Sequence, residues 1–408
     1  VNYGRTENFL SVFMFLGMIC HGIFFIREWL VLGAVLIFYT IAHWKQVCLT
    51  TIAAKKKFRN PVSIFLLLSL FSLAGLFSPV RAIDGWLEAF RWLVYLSAYL
   101  WGIQLAAAGG ANRFLNRMIW LTILAVVLSW LPGSENIWLP PGPPEEGRYA
   151  FCFGYPNSAA AFLGCQLMVI LIKREFNLFF LLLLGISILS TGSRASMLLL
   201  LLFIPILLLK KRALTQKNII NIDSIRTVTE KRSRASVRII LLACLIIVLY
   251  PAVLSIQVPF SHLCSWTDTS MAERITYYAD SIQLARDAYF LPRAGGWLGF
   301  SFIQTTPYWT LDTHSSFCRV LLNQGIIALL LLMLWARQGL RSFIQDLRNG
   351  DDLGTICTKA AALFLGLHSL IDVDMSFGIV GILFWLLVGL NTGEKAENQD
   401  KIRTALLS

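Results

Sequence analysis

Arg91, Arg148, Arg194, Arg274 and Arg319 all stand near the ends of apolar runs or in the segments between them, and so do His314, His368, Asp372 and Asp374. A guanidinium is planar, stays charged at any physiological pH and grips two phosphate oxygens at once, so several at one level suit a phosphate or diphosphate. An imidazole, whose free side chain titrates near ~6.5, suits removal of a proton from a hydroxyl. Together they point to transfer of a sugar from a lipid diphosphate to an acceptor hydroxyl. The departing diphosphate is a weak base and needs positive charge more than an acid, whereas the alcohol is a poor nucleophile and needs a base. Energy already stored in the anomeric phosphate bond makes a nucleotide unnecessary, and the chain has no GxxxxGK[ST] loop.

The elements that hold these residues must be membrane helices. Of 408 residues, 57% are hydrophobic and only 14% charged, with a mean hydropathy of +0.66, far too apolar for a soluble domain of this length. A net charge of +12 does not mark a nucleic-acid partner, because the lysines and arginines lie between apolar runs and not on one basic face. Eight cysteines without a CxxC pair give neither a zinc ribbon nor a disulfide framework. No Ala-x-Ala cleavage site follows the first apolar run, which reads as a retained helix.

Against the ~20 residues that a helix needs to cross the hydrocarbon core, the apolar runs predict about twelve transmembrane helices. They fall near 9–26, 29–47, 61–79, 88–108, 117–132, 157–172, 177–192, 194–209, 238–257, 316–336, 355–371 and 377–391. The expected fold class is therefore all-α, a polytopic membrane protein with a single integral domain over 1–408. Alternating the spans from a cytoplasmic N-terminus places 26 of the 35 Lys and Arg inside, many in a basic cytoplasmic loop over 210–237, and returns the C-terminus to the cytoplasm. Basic runs such as Lys55-Lys56-Lys57 then serve orientation and contact with lipid headgroups.

The same alternation puts a helical extracytoplasmic loop, 258–315, outside between spans nine and ten. There Met271, Ile275, Tyr278, Ile282, Ala285 and Tyr289 recur in steps of four and three, the face of an amphipathic helix lying on or near the membrane. Leu291-Pro292 ends it and Ala294-Gly295-Gly296 turns the chain back towards Asp312-Thr313-His314. Leu139 to Gly147, rich in proline, reads as a stiff connector delivering Arg148 and Gly154-Tyr155-Pro156-Asn157 to the outer end of span six.

Plainer readings exist for each residue. Outer arginines snorkel to headgroups, Asn157 after Pro156 can cap a helix, and His368 with Asp372 can form a structural pair. Asp372 and Asp374 resemble a two-carboxylate metal site, but two aspartates rarely suffice for a cation. A transporter of lipid-linked sugars would keep ionisable groups near the bilayer midplane, where this chain has almost none.

In order along the chain come an arginine before Gly154-Tyr155-Pro156-Asn157, then Thr191-Gly192-Ser193-Arg194-Ala195, a long outer loop with Arg274 and a glycine turn, His314, and late His368 and Asp372. That order resembles the O-antigen ligase and polymerase family over roughly Arg148 to Leu390. The resemblance implies a metal-independent membrane glycosyltransferase of the bacterial cytoplasmic membrane, working on its outer face with no cofactor. Its donor would be an undecaprenyl diphosphate-linked glycan and its acceptor a glycan or lipid, amid membrane lipids. By motif, Arg194 and Arg274 take the diphosphate and His314 is the general base, with Arg148, Asn157, Arg319, His368 and Asp372 as substrate-binding candidates. Ser315 follows the histidine where the family usually has asparagine.

Overall fold

The computed structural model describes residues 3–47, 61–131, 148–171, 178–220, 269–305, 310–349 and 352–407. The predicted span 238–257, the proline-rich connector and residues 221–237 of the basic loop lie outside the described residues. Within them the chain forms thirteen α-helices and no strand. The first eight are α1 (Tyr3–Ile19), α2 (Ile26–Ala42), α3 (Pro61–Ala74), α4 (Ala82–Ala107), α5 (Ala111–Ser129), α6 (Pro156–Ile170), α7 (Leu178–Ser190) and α8 (Arg194–Ile220). The others are α9 (Thr269–Asp287), α10 (Gly296–Ile303), α11 (Ser316–Asn349), α12 (Leu353–His368) and α13 (Gly378–Leu407).

Two of these, α5 and α11, are long and apolar enough to cross a membrane, and α3, α6, α7, α12 and α13 carry shorter apolar stretches. Phe38, Leu70, Leu202 and Ile327 point outward uncovered, as in a bundle whose surroundings are lipid and whose backbone groups must be satisfied within helices. The all-helical architecture agrees with the expected class.

Two helices outrun their apolar runs. Helix α8 continues through Lys210, Lys211 and Arg212 to Ile220, so the first part of the expected basic loop is helical; the segment holds good helix formers and no glycine or proline after Pro205. Helix α11 likewise runs to Asn349, but it breaks at Gly325 with φ 78° and ψ 179°. The freed amide of Ile326 donates to Phe290 O at 3.0 Å, and a Cβ at position 325 would lie 2.8 Å from that carbonyl. Only glycine fits there.

Close packing fixes the rest. Every residue of α6 is buried except Asn157. Its Gly164 leaves room for the ring of Phe364 on α12. Helices α4 and α13 cross glycine to glycine: a Cβ on Gly102 would strike the backbone of Leu386 and Gly389, and one on Gly389 the backbone of Tyr99. Small residues let the two backbones touch, the usual way membrane helices gain contact when the surroundings are as apolar as they are.

Helix α9 buries Tyr277, Ser281, Leu284 and Ala285 against α10 and α11. Of the face expected to be apolar, Ile275, Ile282 and Tyr289 are exposed and only Ala285 is fully buried. The core-facing stripe is thus rotated from the one the spacing suggested, and Ile275, Ile282 and Tyr289 are left largely uncovered by the other described residues.

Candidate functional site

The polar residues meet at helix ends. After α12 the chain turns through Leu370 and Ile371, and Asp372 is placed in the turn before α13 with its side chain 1% exposed. Its Oδ1 accepts from the Tyr155 hydroxyl at 2.8 Å and from the Val373 amide at 2.8 Å. Its Oδ2 accepts from Asn157 Nδ2 at 2.8 Å and from Arg274 Nη2 at 3.1 Å. Asn157 passes the connection on, since its Oδ1 accepts from Arg148 Nη2 at 2.7 Å while Arg148 Nε donates to Thr191 O at 2.6 Å. Four candidate residues, Asn157, Arg274, His314 and, through Asn157, Arg148, therefore gather from separate segments around the carboxylate of a fifth, Asp372.

His314 completes the group. Its Nδ1 lies 3.9 Å from Asp372 Oδ1, an ion-pair distance rather than a hydrogen bond, and Nδ1 is buried without a hydrogen-bond partner. On the other side Nε2 is 3.1 Å from Thr310 Oγ1, and the ring stacks on Tyr277 at 5.9 Å between centroids. The residue has φ +49°, a left-handed backbone that costs a non-glycine residue about 1–2 kcal/mol.

Electrostatics follow from this map. Burial alone would push the Asp372 carboxyl up, but the neighbouring His314 imidazole and the Arg274 charge outweigh it and hold the group below the ordinary carboxylate range. Burial, and then the Asp372 charge, push the Tyr155 phenol well above its usual value, so that hydroxyl stays a donor. Asn157 is the second residue of α6 and not its cap; the cap position is Tyr155.

Behind this cluster lies another. His368 Nδ1 is 2.5 Å from Asp374 Oδ2, whose other oxygen accepts from Ser158 Oγ at 2.9 Å. The reading that pairs His368 with Asp372 is thus corrected: the 3-10 turn Asp374–Ser376 folds the later aspartate back under the helix end. On its far side His368 Nε2 is 3.4 Å from Ser193 Oγ. The order serine, histidine, aspartate is that of a nucleophile triad, yet Ser193 is only 2% exposed and donates to Ser196 Oγ at 3.3 Å. It anchors the turn from which exposed Arg194 starts α8, beside the Thr191 carbonyl that Arg148 holds. The carboxylates of Asp372 and Asp374 face different partners, and among the described residues no group of three or more His, Cys, Asp or Glu is arranged to hold a metal ion.

Arg319 does not join the Asp372 group. It sits with Glu88, Arg91, Asp312 and Ser376 at one end of a cleft of about 340 Å³ between α4, α11, α12 and α13. The cleft is lined mainly by Trp92, Leu329, Leu332, Trp335, Leu363 and Phe384, and Lys359, paired with Asp346, lies at its other end. Tyr155, Thr310 and Glu88 are the groups that sequence reasoning did not single out. Tyr155 could have been found, because it sits inside the quoted Gly154-Tyr155-Pro156-Asn157 motif.

The described residues thus form a helical bundle with its polar groups collected at helix ends and an apolar cleft lined by α4, α11, α12 and α13. Residues 179–333 match the family model described as O-Antigen ligase, which supports assignment of the chain to the O-antigen ligase family. The matched stretch contains Arg194, Arg274, His314 and Arg319, while Arg148, Asn157, His368 and Asp372 lie outside it. No curated protein matches the chain.

Proposed function

We propose that this protein is an O-antigen ligase-like glycosyltransferase that moves a glycan from undecaprenyl diphosphate to an acceptor hydroxyl, on the outer face of the bacterial cytoplasmic membrane. The observation that carries the reading is the convergence of Arg148, Asn157, Arg274 and His314 on Asp372. In this arrangement Arg274 and Arg194 stabilise the leaving diphosphate and His314 takes the acceptor proton. With its own proton on Nδ1, towards Asp372, the imidazole presents Nε2 as the basic atom. The Thr310 hydroxyl, 3.1 Å away, then occupies the place that an acceptor hydroxyl would take. Gaps such as the 3.9 Å to Asp372 commonly close when substrate binds. The apolar cleft beside the cluster suits the prenyl chain of the donor. Twelve spans with both termini in the cytoplasm would put Arg148, Arg194, Arg274, His314 and Asp372 together on the outer side.

The test is glycan transfer by purified protein in nanodiscs from an undecaprenyl diphosphate-linked oligosaccharide. His314→Ala and Arg274→Ala should each lower the rate by about 10²-fold or more while the protein stays inserted. Treatment with EDTA should leave the wild-type rate unchanged. Full activity in His314→Ala removes the base from the mechanism, and loss of transfer that added magnesium restores would favour metal-dependent chemistry at Asp372 and Asp374.

A further inference from the structure

We propose that Glu88 and Arg319 are positioning residues: a buried clamp that sets the separation of His314 from Asp372, with Arg319 acting through this clamp and not by touching substrate. This rests on the roles assigned to His314 and Asp372 above.

Arg319, 11% exposed, reaches three segments with one guanidinium. Its Nη2 donates to Glu88 Oε1 on α4 at 2.6 Å, and its Nη1 donates to Asp312 Oδ2 at 3.2 Å and to Ser376 Oγ at 2.5 Å. Ser376 in turn donates to Asp312 Oδ2 at 3.0 Å. Asp312 stands just before His314, and Ser376 stands just after Asp372 and Asp374. The two turns that carry the imidazole and the carboxylate are therefore fastened to the same rigid, planar group. A backbone bond from Ser316 N to Ser369 O at 2.8 Å stitches the same pair of segments from the other side.

Glu88 orients that guanidinium. At 7% exposure it accepts from Arg319 and, at 2.5 Å, from Arg91 of its own helix. Trp297 covers the far face of Arg319, with the guanidinium 5.8 Å from the ring centroid. Two arginines here meet two carboxylates, Glu88 and Asp312, so the clamp holds no surplus charge to draw a diphosphate. The Asp372 group differs, since Arg274 and, through Asn157, Arg148 share a single carboxylate there. A left-handed residue such as His314 persists only where its surroundings over-determine it, and the clamp supplies that constraint two residues away. Lysine could not replace Arg319, because one ammonium lacks the fixed fork that spans three partners.

Hydrogen exchange of the full chain in nanodiscs, followed by peptide mass spectrometry, reads the clamp without any substrate. In Glu88→Gln and Arg319→Lys, peptides covering 310–316 and 370–376 should exchange about tenfold faster or more, the factor that one charge-assisted hydrogen bond is worth in an equilibrium. Exchange in the middles of α4 and α13 should not change. Where either variant fails to insert, Ser376→Ala removes the bond from Arg319 and the bond to Asp312 but no charge, and a smaller increase confined to the same two peptides is expected. In the transfer assay Glu88→Gln should lower kcat by about tenfold while donor KM stays within about twofold. Unchanged exchange in both turns overturns the clamp even if transfer is observed, and so does an equal rise throughout α4 and α13, which would mark a general structural role. A fully active His314→Ala would instead sink the assigned chemistry and leave the exchange result standing.

Discussion

Asp372→Asn keeps the shape of the side chain and removes its charge, and the hydrogen-bond map leaves the amide no acceptable orientation. With the amide nitrogen at the Oδ1 position it faces the Val373 amide, itself a donor. At the Oδ2 position it faces Asn157 Nδ2 and Arg274 Nη2, donors both. Asn157 could accept only by turning its amide over, which gives up the bond from Arg148 Nη2. In either orientation a buried donor loses its acceptor and Arg274 loses its counter-charge, at a combined cost of about 3–5 kcal/mol. For a chain of this length that is a fall in Tm of about 5 °C, measurable by intrinsic fluorescence in nanodiscs. The rate of transfer should fall by about 10²-fold or more, because His314 loses the carboxylate that orients it. Asp372→Asn with a Tm within about 1 °C of wild type and full transfer would refute the reasoning.

The remaining predictions concern the same group. Because the Asp372 carboxyl is held below the ordinary carboxylate range, its contribution to stability is complete above about pH 4 and is lost only as pH falls through its lower folded-state value. The Tm difference between wild type and Asp372→Asn should therefore be constant from about pH 8 to about pH 5 and shrink below about pH 4; a difference that already shrinks near neutrality would contradict it. Asn157→Asp sets a second carboxylate where a 2.8 Å bond to Asp372 now lies, so it should cost more Tm and more transfer than Asn157→Ala, and the reverse order would show that the bond to Asp372 is not what Asn157 provides.

Much of the bundle was legible because apolar runs and turn residues are local signals. The Thr191-Gly192-Ser193 turn between α7 and α8 and the Ala294-Gly295-Gly296 turn before α10 fall where the sequence places them. The break at Gly325 was not legible: its cause is the Phe290 carbonyl, which only the tertiary fold brings there. For the same reason nothing local in the sequence marked Glu88, since its partner Arg319 is remote in the chain. The candidate site was legible as a set of residue types at helix ends, and its wiring was not. Spacing along the chain suggested Asp372 for His368, whereas the 3-10 turn brings in Asp374 and leaves Asp372 free to face α6 and α9. On α9 the periodicity found an apolar stripe, but pattern alone cannot say whether protein or lipid covers it.

The glycine seam between α4 and α13 limits what can move. Backbone there lies directly on backbone, with no side chains between to slide or swing, so the two helices shift as one body if they shift at all. Glu88 lies in the second turn of one of them, and the turn bearing Asp372 feeds the other. Any widening of the bundle would therefore fall elsewhere, and α9 is the wall where Ile275, Ile282 and Tyr289 are exposed among the described residues.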